Sequence, residues 1–288
     1  MKAWIKLLRP HQWLKSGFVF VGLLFGHAWN DAQLVGQVLL AAAAFSLAAS
    51  AVYVGNDLVD RERDRQHPKK SRRPLASGAI TVSAALALGG LCLAVAGLLA
   101  WLASPSVLAI IAAYLLLNVG YTLGLKHVVL LDVFIISAGF MLRILAGTLG
   151  VGIAPSHWLL LCGLMVTLFL GFAKRHAELK ALDGHAGGHR QVLDEYDPAL
   201  LDKLIGICAA ATIVSYSLYT VSADTLALHG TSGLMATVPF VVYGMFRYLY
   251  RLHRHAGGGD PAVDLLTDRH LLVAGGGWLL AVVWILAG

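Results

Sequence analysis

The side chains able to do chemistry gather in a few short runs. The first reads NDLVDRERD over residues 56–64. Asn56, Asp60 and Asp64 recur at i, i+4 and i+8, so on a helix they stack along one edge with their oxygens on the same face. Three such donors, completed by water and phosphate, suit Mg²⁺, a hard cation that takes few carboxylates and accepts phosphate oxygens. Asp57 stands beside the stack as a further acid. A solvated helix end, with Arg61, Arg63 and Arg65 as its partners, is the plainer alternative. Position argues against it: the acids abut an apolar run, where they contribute nothing to membrane orientation. The loop HPKKSRRP follows at 67–74 and adds Lys69, Lys70, Arg72 and Arg73, with Pro68 and Pro74 breaking regular structure. These cations can clamp phosphates already held through Mg²⁺ or bind anionic lipid headgroups, and the two roles are compatible.

Two further runs carry charge. YTLGLKH at 121–127 supplies Tyr121 and Lys126, although a lone Lys near a span end can simply snorkel to the headgroups. AKRHAEL at 173–179 supplies Lys174, Arg175 and Glu178, and the i, i+4 spacing of Lys174 and Glu178 predicts a pair across one turn. His185 and His189 are separated by Gly-Gly, which argues against a helical metal pair; they read as loop residues, as do His253 and His255. Arg143 lies deep in an apolar run, where an Arg must be paired or wetted. Asp132 shares its helix face eleven residues earlier, too far for direct contact.

The scaffold for these runs follows from composition. Of 288 residues, 58% are apolar and 13% charged, with mean hydropathy +0.73. A soluble domain is about 45–50% apolar and about 25% charged. A disordered chain is therefore excluded, and a water-soluble enzyme is disfavoured. Nine stretches approach the length of a membrane helix: 13–29, 34–56, 82–103, 106–124, 128–150, 157–174, 204–223, 232–249 and 269–287. The expected fold is all-α: one polytopic domain over 1–288, a bundle of nine transmembrane helices. Residues 1–15, with Trp4 and Trp13, read as an interfacial helix leading into the first span rather than a cleaved signal. The 31 glycines suit close helix packing in lipid. Cys92, Cys162 and Cys208 sit in apolar runs without metal-ligand spacing and read as packing residues.

Charge then orients the chain. With nine spans, 21 of the 22 Lys and Arg residues fall on the N-terminus or on even-numbered connections, and Arg143 is the exception. Basic residues mark cytoplasmic loops. The N-terminus is therefore expected in the cytoplasm, the C-terminus outside, and the active site opening to the cytoplasm from the inner membrane. The net charge of +6 is explained by this asymmetry, with no call for nucleic acid.

These residues resemble the UbiA superfamily of intramembrane prenyltransferases. Nine spans, an N-x-x-x-D-x-x-x-D run ending the second, and Tyr121 with Lys126 after the fourth carry the resemblance. RPHQWLK (9–15), 56–74, 121–127, LDVFIISAGFMLRILAG (131–147) and 173–179 make the chain most similar to the decaprenyl-phosphate phosphoribosyltransferase branch. The resemblance implies transfer of 5-phosphoribose from phosphoribosyl diphosphate to a polyprenyl phosphate, with Mg²⁺ and with Mn²⁺ as a substitute. It implies a metal group of Asn56, Asp57, Asp60 and Asp64, and a catalytic group of Asp60, Asp64 and Lys126. Substrate contacts fall to Lys15, Lys69, Arg72, Arg73, Tyr121 and Lys126, and to Arg143, Lys174, Arg175 and Glu178. Arg143 is the deepest candidate seat for the lipid phosphate. Anionic lipids are implied partners, and a homo-oligomer is compatible with the pattern.

Two alternatives stand beside this reading. An aromatic prenyltransferase of the same fold would use polyprenyl diphosphate as donor. Such enzymes carry a second D-x-x-x-D motif after the sixth span, where this chain has KRHAELKALD. A transporter would need polar residues deep in several spans, and only Arg143, Asn118 and scattered Ser or Thr qualify.

Overall fold

A computed structural model describes residues 2–67, 70–182, 191–254 and 267–287. Among these every regular element is helical. The order is α1 (Lys2–Leu8), a 3-10 segment Pro10–Phe20, α2 (Val21–Phe25), α3 (Ala32–Val59), α4 (Arg61–Gln66), α5 (Val82–Ala103) and α6 (Pro105–Leu123). Then come α7 (Leu131–Ala146), α8 (His157–Leu182), α9 (Pro198–Val221), α10 (Ala223–His229), α11 (Val238–Arg254) and α12 (Arg269–Ala287).

Helices begin where a side chain satisfies the first free amides. Asp31 accepts from the amides of Gln33 (2.8 Å) and Leu34 (3.1 Å) to open α3. Ser104 caps α6 through Val107 N (3.0 Å), and Asp197 caps α9 through Ala199 N (3.1 Å). Pro105 and Pro198 stand just inside those caps, where the missing amide costs nothing.

Seven helices among the described residues are long and apolar enough to cross a membrane, and an eighth crossing arises if the bent pair of α10 and Gly233–Arg254 counts as one span. The two arms of that pair meet at 106°. The architecture is that of an all-helical membrane protein, with fewer continuous spans than the nine expected. The difference lies partly in the first expected span, 13–29, which is a 3-10 segment followed by a five-residue helix. Side-on polar bonds to α3 hold the 3-10 segment: Trp13 Nε1 donates to Ser50 Oγ (2.9 Å), and the Ser46 hydroxyl donates to Ser16 Oγ (2.9 Å).

The described chain divides into two compact units, Met1–Gly124 with Leu142–Ala154, and Leu125–Met141 with Pro155–Gly288. In the first, α3 lies at the centre. Ala41, Ala44, Phe45 and Ala48 are buried with Ala96 and Ala100 of α5 and Val107 and Ile111 of α6. Small side chains let these helices approach closely. Closest of all is Gly147 against the N-terminal segment: a Cβ there would lie 1.7 Å from the carbonyl oxygen of Val19, so only glycine fits. In the second unit, Phe169, Phe172, Leu201, Ile205, Tyr248 and Leu252 form the core of α8, α9 and α11. Leu91, Trp101, Leu116, Leu123, Leu280 and Trp284 point outward, as lipid-facing side chains should. Cys92 and Cys208 are buried and Cys162 half-buried, each a free thiol within apolar packing.

Candidate active site

The acid stack is built by the backbone. At the end of α3 the amide of Asp60 donates to the Asn56 carbonyl (2.9 Å), and that of Asp64 donates to the Asp60 carbonyl (2.8 Å). Helical pairing therefore runs through Asp60 into α4 and sets the three residues one turn apart. Asn56 Oδ1 also accepts from Thr122 Oγ1 of α6 (2.8 Å), which fixes the amide.

Asp57 stands beside Asp64, bridged to it through Arg73. It is 3% exposed, and its Oδ1 accepts from Arg9 Nη2 (2.6 Å) and Arg73 Nη1 (3.1 Å). Asp57, expected in the metal group, is here engaged by two guanidinium groups, one of them shared with Asp64. Arg73 is likewise a crosslink. The same Nη1 donates to Asp64 Oδ2 at 2.6 Å, so Arg73 joins two acids rather than standing clear as a phosphate clamp. Its position follows from the apolar loop beyond it, where Leu75 and Ile80 pack with Leu7, Val54 and Ala85. Arg72 is exposed, and its carbonyl accepts from Lys6 Nζ (2.9 Å). Lys69 lies outside the described residues, as do His185, His189 and His255.

Mg²⁺ can be tested against this edge. Asp60 is half-buried, and Asp64 is buried with Oδ2 engaged by Arg73. Among the described residues no three His, Cys, Asp or Glu side chains form a metal cage by themselves. The donors are therefore few, and phosphate oxygens must complete the shell. That fits Mg²⁺, which is held by one or two carboxylates plus substrate phosphate. Asn56, Asp60 and Asp64 would hold it.

In the second unit the expected pair of Lys174 with Glu178 is replaced. Glu178 binds Nη1 of Arg175 in a close contact, at i, i+3. Arg175 Nε donates to Asp132 Oδ2 (2.6 Å), and Tyr196 Oη donates to Asp132 Oδ1 (2.7 Å). Asp132 and Arg175 are fully buried. Arg175 and Glu178, expected to contact substrate, are joined with Asp132 in an ion cluster. Burial and the bond to Asp132 hold the Tyr196 phenol well above the ordinary phenol pKa. His176, buried on α8, places Nε2 3.0 Å from Asp202 Oδ1. His253 lies on α11 rather than in a loop, with Nε2 3.5 Å from the same oxygen.

Arg143, expected to seat the lipid phosphate, packs among aromatic rings. It is 5% exposed in the first unit, with its guanidinium 5.2 Å from the Phe45 ring centroid and 4.8 Å from that of Tyr114. Its Nη2 donates to Tyr114 Oη (3.3 Å). Aromatic faces compensate a desolvated cation, which is how this deep Arg is tolerated. Lys15, Tyr121, Lys126 and Lys174 remain as half-buried residues: Lys15 in the 3-10 segment, Tyr121 near the end of α6, Lys126 in the turn Leu125–His127, and Lys174 on α8.

Sequence reasoning missed Arg9 and Tyr196 as site neighbours. Arg9 has a left-handed backbone (φ 52°) just before Pro10, and the Arg-Pro step was a visible trace of a turn there. Tyr196 carries no local signal, because its partners are distant in sequence.

Comparison with known proteins agrees with this geometry. A family model described as the UbiA prenyltransferase family matches residues 16–267. The chain is 33% identical to the decaprenyl-phosphate phosphoribosyltransferase of Corynebacterium glutamicum, over 97% of this chain and 85% of that one. It is 34% identical to the protein of the same name from Mycolicibacterium smegmatis, over 96% of this chain and 89% of the relative. In fold it matches a UbiA homolog from Archaeoglobus fulgidus bound to DMAPP and Mg²⁺, with a TM-score of 0.74 at 16% identity over 99% of each chain. A family match runs through both compact units, and relatives above 30% identity extend over nearly the whole length: this chain belongs to the UbiA prenyltransferase family.

Proposed function

We propose that this chain is a phosphoribosyltransferase that joins 5-phosphoribose to a polyprenyl phosphate, with decaprenyl phosphate as the favoured acceptor. The C1–O bond of phosphoribosyl diphosphate breaks, a bond from C1 to the lipid phosphate oxygen forms, and pyrophosphate leaves. The observation that carries the reading is the near-full-length similarity to two decaprenyl-phosphate phosphoribosyltransferases. The acid stack supports it.

Asn56, Asp60 and Asp64 would hold the divalent ion, and Arg73, bonded to Asp64 Oδ2, would help to orient that carboxylate. Bound there, Mg²⁺ (with Mn²⁺ as substitute) neutralises charge that develops on the leaving diphosphate. Lys69 and Arg72 add positive charge near that edge in sequence. Lys15, Tyr121, Lys126 and Lys174 are the remaining candidates for phosphate contact, with Lys126 and Lys174 seating the lipid phosphate. The ribose ring passes through an oxocarbenium-like state, as in glycosyl transfer generally. The attacking phosphate is already an oxyanion at pH 7, so no side chain has to act as general base.

We further propose one domain over 1–288 and nine crossings, with 13–29 counted as the first although it is not one continuous helix. The Lys and Arg distribution supports a cytoplasmic N-terminus, an external C-terminus and an active site facing the cytoplasm of the inner membrane. The same basic residues favour anionic lipids as partners. One observation favours an allylic diphosphate donor, the DMAPP-bound fold neighbour, but at 16% identity the likeness is one of fold. Against that donor, the second carboxylate motif is replaced by the Arg175 cluster.

The test is incubation of the purified protein in detergent with labelled phosphoribosyl diphosphate, Mg²⁺ and polyprenyl phosphates of several lengths. Lipid-extractable label with release of pyrophosphate is expected. Prenylation of 4-hydroxybenzoate, with phosphoribosyl diphosphate ignored, would overturn the assignment.

A further inference from the structure

Leu130 stands four residues after Lys126 with φ +67°, a left-handed backbone that residues bearing a Cβ rarely adopt. Such a conformation persists only where the surroundings over-determine it. Here the surroundings are a phenol. The amide of Leu130 donates to Tyr196 Oη (2.9 Å), and the same hydroxyl donates its own proton to Asp132 Oδ1 (2.7 Å). The other oxygen of Asp132 accepts from Arg175 Nε (2.6 Å), next in sequence to Lys174. Tyr196 is 4% exposed, so water cannot readily replace its hydroxyl. One buried phenol therefore ties the turn that carries Lys126 to the helix turn that carries Lys174.

We propose that Tyr196 is a positioning residue: acting through Leu130, Asp132 and Arg175, it holds Lys126 and Lys174 where they meet phosphate. This rests on the phosphoribosyl-transfer reading for its kinetic consequence, and on geometry alone for its structural one. Tyr196 touches neither lysine, so its effect is indirect. The phenol keeps its proton well into the alkaline range, because burial and Asp132 both disfavour the phenolate. It remains a donor to Asp132 at any pH where transfer would be assayed.

The experiment uses the full-length protein in detergent and compares Tyr196→Phe with the parent. Hydrogen–deuterium exchange should rise over residues 125–132, and an amine-reactive reagent should label Lys126 faster, as read by mass spectrometry. Neither readout depends on which reaction is catalysed. In the transfer assay kcat should fall at least tenfold, with the folded fraction unchanged. Tyr196→Phe combined with Lys126→Ala should be no slower than Lys126→Ala alone. Leu130→Gly in the Phe background should restore part of the lost rate, since glycine adopts this backbone unaided. If Tyr196→Phe alone does not fold, the Leu130→Gly combination carries the same measurements. Unchanged exchange and labelling in the variant would overturn the inference. So would a rate loss that multiplies with that of Lys126→Ala, or one that merely follows the folded fraction. A parent protein with no phosphoribosyl transfer would sink the functional reading, while the exchange and labelling data would still decide on Tyr196.

Discussion

Asp57 and Asp60 are three residues apart, and their surroundings differ. Asp57 is 3% exposed and holds Arg9 at 2.6 Å and Arg73 at 3.1 Å. Asp57→Asn keeps the shape and removes the charge, depriving Arg9 of this counterion and leaving Arg73 with Asp64. Breaking a buried pair costs about 3–5 kcal/mol. The two Arg side chains are 24% and 28% exposed, and Arg73 keeps Asp64, so the lower limit applies. We expect a loss of about 3 kcal/mol, which at about 2–4 °C per kcal/mol lowers the melting temperature by about 6–12 °C. Asp60 is half-buried at the helix end. Asp60→Asn should leave melting unchanged in EDTA, abolish the upward shift that Mg²⁺ with diphosphate produces in the parent, and reduce turnover at least about a hundredfold, roughly 2.7 kcal/mol of transition-state stabilisation. The assay is thermal unfolding in detergent, with and without Mg²⁺ and diphosphate, beside turnover on the same preparations. The reasoning fails if Asp57→Asn melts like the parent and loses the Mg²⁺ response, or if Asp60→Asn unfolds early and keeps it.

Arg143→Leu should lower the melting temperature by a few degrees while folded molecules turn over normally, because its partners are the Phe45 and Tyr114 rings. A tenfold loss of turnover at unchanged stability would return Arg143 to the lipid phosphate. Turnover should vanish in EDTA and return with Mg²⁺ or Mn²⁺, and full activity in chelator would refute the metal role. Lys174→Ala should raise the KM for a phosphorylated substrate, and an unchanged KM would remove Lys174 from phosphate binding. Asp268 accepts from Arg247 and Arg251 and from the amide of Leu271, and its carboxyl is held far below the ordinary 3.8, first by the hydrogen bond from Arg247. A depressed folded pKa means its stabilisation is complete above the unfolded value and is lost as pH falls through the folded one. Melting temperature should therefore drop as pH falls below about 4, and the drop should be smaller in Asp268→Asn. An equal drop in both proteins would show that other carboxyls dominate.

Much of this molecule is determined by local sequence. The apolar runs, the caps Asp31, Ser104 and Asp197, and the stack of Asn56, Asp60 and Asp64 all depend on residues a few positions apart, so helix geometry alone places them. Segment 13–29 was apolar enough to suggest a span, yet its bonds to Ser46 and Ser50 of α3 hold it as a 3-10 segment. Charge pairing was decided by tertiary structure in every case that mattered. Glu178 could meet Lys174 or Arg175, both about one turn before it, and the choice fell to Arg175 because Asp132 anchors that guanidinium from 43 residues away. Asp57 is met by Arg9 and Arg73, which come from two other segments that its own helix does not predict. For Arg143 the sequence could not reveal the rings of Phe45 and Tyr114 that pack on it. A buried charge must be compensated, and sequence states that requirement clearly. Which of several distant groups meets it depends on how the helices pack.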